Sequence, residues 1–189
     1  MIIGIIPKII EKYKNQLEIS VELNLLNFLR KIFNNSKIEV LGEKRNINFD
    51  ILIISGGNDL PSLKKNKSNK FRNELNNFFF TKALRKNLPV IGICLGAQFI
   101  AKKYRCKFKK KNHVGTHKII YQNKKIKVNS YHNYVITNFS NKIKPLAFAE
   151  DKTLEYFKIK NKNITGIIWH PERYKTISEF DKKIFKNII

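Results

Sequence analysis

Cys94 sits between two glycines in the run Gly92-Ile93-Cys94-Leu95-Gly96. An apolar segment, Val90–Ile93, precedes it, and Leu95-Gly96-Ala97-Gln98 opens a helix-like run. A nucleophile on a sharp strand-to-helix turn needs small neighbours so that its side chain projects from the sheet edge. The helix N-terminus behind it favours a thiolate over a thiol. Such a nucleophile also needs a base, and the base needs an orienting carboxylate. His170-Pro171-Glu172 supplies both types at the end of the apolar run Ile164–Trp169. Alternation along a strand lets side chains two positions apart point the same way. Alone, the cysteine turn also suits a buried structural thiol, and His-x-Glu suits a surface pair. Together in one chain they point to a Cys94-His170-Glu172 triad. A third segment, Ser55-Gly56-Gly57-Asn58-Asp59, follows a buried strand. Its glycines free backbone N–H groups, and those of Gly57 and Leu95 are the expected oxyanion donors.

These groups need strands to carry them. Residues 2–6 and 50–55 are apolar runs rich in β-branched residues, as in parallel strands buried on both faces. Ile38–Leu41 reads as another strand. Leu17, Val21, Leu25, Leu29 and Phe33 fall at i, i+4 spacing and predict a helix over 17–33. Residues 58–70 read as a loop, 71–86 as a helix ending before Asn87-Leu88-Pro89, and 177–188 as a closing helix. Strand and helix alternate to about residue 105, which predicts an α/β fold with a doubly wound, mostly parallel sheet. Short β-type runs at 117–121, 125–130, 146–149, 154–159 and 164–169 predict a small antiparallel extension and returning strands. No internal repeat or linker is visible, so a single domain over 1–189 is expected.

The chain has 189 residues, 38 Lys or Arg and 14 Asp or Glu, for a net charge of +24. Apolar content of 42% argues against disorder despite that charge. The basic residues punctuate nearly every segment rather than forming a stripe, so nucleic acid is not the expected partner. Lysine and asparagine abound together, as A/T-rich coding predicts. Two lysine clusters, Lys64-Lys65-Asn66-Lys67 with Lys70 and Lys107 with Lys109–Lys111, suit solvated loops or a rim that attracts an anionic small molecule. No apolar run approaches the ~18 residues of a membrane span. The first residues lack the basic start of a signal peptide. With Cys94 and Cys106 as the only cysteines, a cytoplasmic protein without membrane contact is expected. His113 and His117 are spaced i, i+4, but Gly115-Thr116 lies between them ahead of a β-type run. They read as loop or substrate-lobe residues, with no metal site. Cys106 reads as structural.

The cysteine turn, the Gly-Gly loop and His-Pro-Glu together resemble the class I glutamine amidotransferase-like superfamily, which has a flavodoxin-like sheet. Ser55–Pro61, Val128-Asn129-Ser130-Tyr131-His132, Ala149–Glu155 and Gly166–Glu172 look like the γ-glutamyl hydrolase (peptidase C26-like) branch, which contains γ-glutamyl-γ-aminobutyrate hydrolase. The Asn58–Pro61 loop, Asn129–Asn133 and Trp169–Arg173 are similar to the γ-glutamyl-CDP-amidate hydrolases. The resemblance implies that Cys94 attacks a γ-glutamyl amide, with His170 moving the proton and Glu172 holding the imidazole. A γ-glutamyl thioester would then be hydrolysed to glutamate. It implies substrate contacts from Gly56, Asn58, Gln98, Ser130, Tyr131 and His132. It further implies an anionic, nucleotide-linked substrate, and release of cytidine diphosphoramidate for surface polysaccharide. No cofactor is needed. Leu95 departs from the Arg often found there in γ-glutamyl hydrolases, and Cys-Leu-Gly is common in ammonia-supplying amidotransferases. A glutaminase component working with a synthase partner therefore stays open, as does a non-enzymatic basic binding module.

Overall fold

The computed structural model describes residues 1–188. Its strands are β1 (Ile2–Ile6), β2 (Lys8–Tyr13), β3 (Gln16–Ser20), β4 (Lys37–Val40), β5 (Ile51–Ile54), β6 (Val90–Ile93), β7 (Lys107–Tyr121), β8 (Lys124–Asn138), β9 (Ile143–Ala149), β10 (Leu154–Ile159) and β11 (Ile164–Ile167). The helices are α1 (Leu23–Ile32), α2 (Lys67–Arg85), α3 (Leu95–Lys103) and α4 (Glu179–Lys186). Nine strands form one mixed sheet in the order β4-β1-β5-β6-β11-β10-β8-β7-β9. The pairings β4–β1–β5–β6–β11 are parallel. Those among β10, β8, β7 and β9 are antiparallel, and β9 also pairs with β10.

The expected mostly parallel sheet is thus half antiparallel. The extension is not small, because β7 and β8 each run 15 residues as a long hairpin. Their lysine-rich outer faces hide the strand pattern at residues 107–116, so the predicted strands begin too late.

The buried strands divide by alternation, as the pleat requires. Leu52 and Ile54 of β5 pack with Leu75, Phe79 and Phe80 of α2 and with Phe99 and Ile100 of α3. Ile51 and Ile53 face the other way, with Leu25, Phe28 and Leu29 of α1 and Ile184 and Phe185 of α4. Helices therefore cover both faces of the parallel half.

The helix expected from Leu17 starts only at Leu23, and Gln16–Ser20 is strand β3, paired with β2 in a separate hairpin. A spacing of four is a multiple of the strand period and close to one helical turn. Leu17 and Val21 therefore satisfied either reading. Helix α2 starts at Lys67, before the expected Phe71, because the Asn66 side chain caps it by accepting from Asn69 N at 2.7 Å. No helix among the described residues is long and apolar enough to cross a membrane.

Candidate active site

Parallel strands bring their carboxyl ends to one edge of the sheet, where ligand sites of open α/β sheets form. Ser55–Asn58 follow β5, Cys94 follows β6, and His170 lies just past β11. Register places Ile167 beside Ile93, so His170 and Cys94 leave adjacent strands.

Cys94 has φ 51° and ψ −104°, a region that side-chain-bearing residues rarely adopt. The contacts around it dictate the flanking glycines. A Cβ on Gly96 would lie 1.9 Å from the Ile54 carbonyl oxygen, and one on Gly92 would lie 2.5 Å from Gly96 C. Only glycine lets α3 press this closely on β5 and β6. Cys94 N donates to Ile167 O at 2.8 Å, and Gln98 N donates to Cys94 O at 3.0 Å. These bonds hold the turn with the sulfur at the N-terminus of α3.

The His170 backbone is clamped by Asn129. Its N–H donates to Asn129 Oδ1 at 2.8 Å, and its carbonyl accepts from Asn129 Nδ2 at 2.7 Å. Pro171–Arg173 then forms a 3-10 turn. That turn, rather than strand alternation, carries Glu172 back to His170, where Nδ1 and Oε1 are 2.6 Å apart. The contact agrees with the expectation, but its cause differs, because β11 ends at Ile167. Burial opposes charge on His170. The neighbouring Cys94 and Glu172 outweigh it, and the pKa is pushed up to about 10. Glu172 takes Nδ1 and leaves Nε2 without that partner. An imidazolium beside sulfur is the arrangement in which a thiolate nucleophile works.

The Gly-Gly loop closes over this pair. A Cβ on Gly56 would meet His170 Cε1 at 2.5 Å and Cys94 Cβ at 3.4 Å. Gly57 has φ +78°, and a Cβ there would strike Lys8 Cδ at 2.7 Å. Ser55 Oγ donates to Ile6 O at 2.8 Å. Beneath the loop, fully buried Arg72 donates to Ser55 O at 2.9 Å and to Asn76 Oδ1 at 3.1 Å. Burial lowers its pKa to about 9, which leaves it charged at neutral pH.

Cys94, His170, Glu172, Gly56, Gly57 and Leu95 are therefore brought together. Of the other expected substrate residues, Asn58, Gln98 and His132 are engaged elsewhere. Asn58 brackets Ile9, accepting from its N–H at 2.8 Å and donating to its carbonyl at 2.7 Å, which anchors the β2–β3 hairpin. Gln98 Nε2 donates to Tyr134 O at 2.9 Å. His132 turns toward Glu155. Ser130 is buried. Tyr131 is half exposed, edge-on to His170 with ring centroids 5.5 Å apart. His113 and His117 lie within β7 rather than in a loop. For Cys106, burial pushes the thiol up to about 11, in keeping with a structural role.

Sequence reasoning missed Lys8, Arg72, the clamp by Asn129, and Arg173. The guanidinium of Arg173 lies 4.5 Å from the Tyr131 ring centroid and grips Glu22 with two nitrogens. Lys8 was findable, because it follows Pro7 at the carboxyl end of β1. Lys8, Asn58, Asp59 and Lys64 line a cavity of about 420 Å³ beside the loop. A larger cavity, about 710 Å³, lies along α2 by Glu74, Phe78 and Lys82 and does not touch the site.

The sequence matches the family glutamine amidotransferase class-I over residues 11–189. The chain belongs to this family. Among its relatives in the family, the γ-glutamyl-CDP-amidate hydrolase of Campylobacter jejuni is 37% identical over 123 residues. That alignment spans 65% of this chain and 62% of the relative's length. One subunit of the glutamine-hydrolysing GMP synthase of Methanococcus vannielii is 29% identical over 82% of this chain and 79% of its own length. Among solved structures, a Thermoplasma acidophilum protein described as a GMP synthase subunit has a TM-score of 0.74 at 20% identity, covering 100% of this chain and 92% of that one. A Thermotoga maritima glutamine amidotransferase has a TM-score of 0.67 at 16% identity, covering 90% and 76%. These structures share the fold. Together the matches give this chain the family and the fold of the class-I glutamine amidotransferases.

Proposed function

We propose that the chain hydrolyses a γ-glutamyl amide through a Cys94-His170-Glu172 triad, and that its substrate is γ-glutamyl-CDP-amidate. The observation that carries the triad is the buried line formed by Glu172, His170 and Cys94 at the carboxyl ends of β6 and β11. Cys94 Sγ, its proton passed to His170, attacks the γ-carbonyl carbon, and the N–H groups of Gly57 and Leu95 receive the developing oxyanion. His170, held by Glu172, gives its proton to the leaving nitrogen, and the C–N bond breaks to leave a γ-glutamyl thioester. Water then attacks, with His170 taking its proton, and glutamate leaves as the thiol is restored. The parallel half, with helices on both faces, is read as the doubly wound unit of a single domain.

The likeness to the C. jejuni hydrolase supports the nucleotide-linked leaving group, cytidine diphosphoramidate. The net charge of +24, with the Lys8 side chain packed on Gly57, supports an anionic substrate. A second reading is a glutaminase that hands ammonia to a synthase partner, favoured by the longer alignment with the M. vannielii GMP synthase chain.

Glutamate release from γ-glutamyl-CDP-amidate, γ-glutamyl-γ-aminobutyrate and glutamine separates these readings, with Cys94→Ala as control. Turnover of the nucleotide substrate that vanishes in the mutant is expected. Turnover of glutamine alone, raised by a synthase, would sink the nucleotide assignment and keep the triad. Equal turnover by Cys94→Ala would sink the triad.

A further inference from the structure

Three histidines surround one carboxylate away from Cys94. His113 and His117, four apart on β7, share a face of that strand. Register sets His132 of β8 opposite His113. Glu155 of β10 is fully buried, and its Oε1 lies 3.6 Å from His113 Nδ1, 3.5 Å from His117 Nε2 and 3.6 Å from His132 Nε2. All three histidine nitrogens and both Glu155 oxygens are buried without a hydrogen-bond partner. Native proteins pair such groups.

The outer ring nitrogens are already held. His132 Nδ1 lies 3.1 Å from the Tyr134 carbonyl, which can only accept, so Nδ1 carries the hydrogen there. His113 Nε2 lies 2.8 Å from Asp151 Oδ2 in the same manner. In the neutral rings, His132 Nε2 and His113 Nδ1 then aim lone pairs at a carboxylate. A cation at the centre resolves that repulsion. Holding the far ring nitrogen on a carboxylate or carbonyl is how proteins orient metal-binding histidines. His113, His132 and Glu155 each offer a ligand atom within 4.8 Å of the other two, and His117 approaches the group through Glu155. Zinc–ligand bonds of about 2.0–2.1 Å draw such a set together around one ion.

We propose that His113, His117, His132 and Glu155 bind one divalent first-row transition metal, with Zn²⁺ the best match to three imidazoles and a carboxylate. Four side-chain ligands make it a closed, structural site. It staples the β7–β8 hairpin to β10. Asn129, three residues from His132 on β8, holds the His170 backbone, so the staple also steadies that end of the site.

The test uses the full chain carrying Cys94→Ala, which removes the thiol at the strand-to-helix turn and leaves only the buried Cys106. Co²⁺ is titrated into metal-free protein and its visible d–d bands are read, and bound zinc is measured by elemental analysis. One equivalent is expected, with the intense bands of four-coordinate Co²⁺. A hundredfold excess of free Zn²⁺ over its Kd is expected to raise Tm by roughly 5–10 °C. His117 is the most exposed of the three histidines, so His117→Ala tests the site with least risk to folding, and Glu155→Gln tests it again. Both are expected to lose the bands while keeping the far-ultraviolet spectrum. The proposal is overturned if the Cys94→Ala protein binds no stoichiometric metal. It is equally overturned if binding survives both His117→Ala and Glu155→Gln.

Discussion

His170 and Glu172 are two residues apart, yet what joins them is a turn started by Pro171. Replacing Glu172 by Gln removes the charge that holds the imidazole. The expected result is a fall in kcat of about two to four orders of magnitude with little change in KM, read by glutamate release. The raised pKa of His170 has a stability consequence. A base whose folded-state value exceeds its unfolded value stabilises fully below the latter and loses that effect as pH climbs through the former. The window runs from the ordinary 6.5 to about 10. Urea unfolding of wild type and His170→Gln across that range is expected to show a stability gap that shrinks toward the alkaline end. A gap constant with pH contradicts the assigned coupling. Gly96→Ala puts a methyl on the Ile54 carbonyl, and backbone cannot move aside as a side chain can. A loss of about 3 kcal/mol or more is expected, together with loss of activity.

At the scale of elements, the loop after β5 rests on α2. Arg72 reaches Ser55 from the buried face of that helix. Arg72→Met keeps the stem but strands the Ser55 carbonyl and the Asn76 amide. It is expected to cost about 2–4 kcal/mol in urea unfolding and to lower kcat through the Gly57 donor. Unchanged kcat would mean that the loop holds its shape without Arg72. The same helix shows why element boundaries were partly illegible. Its first turn is polar and announced only by Asn66, so the apolar pattern starts a turn late. Hairpin β2–β3 was illegible for a different reason, since its residues are mostly exposed and Asn58, distant in sequence, anchors it.

Across the whole molecule the net charge is +24, and at the site Lys8 packs on Gly57. If the substrate is nucleotide-linked, KM is expected to rise several-fold between low and moderate salt, and again on neutralising Lys64 and Lys65. KM for glutamine is expected to change much less, and parallel changes for both substrates would refute electrostatic capture. The cysteine turn, the His-Pro-Glu run and the alternation of apolar strands with helices were readable in order along the chain. Each is a local pattern, set by sterics at a turn or by periodicity of burial. Three-dimensional pairing alone decided the rest. Residues far apart in sequence became neighbours through register, as His170 did with Asn129 and Glu155 with three histidines. Local composition leaves no trace of which distant strand a side chain will face, because that depends on the free energy of the assembled sheet.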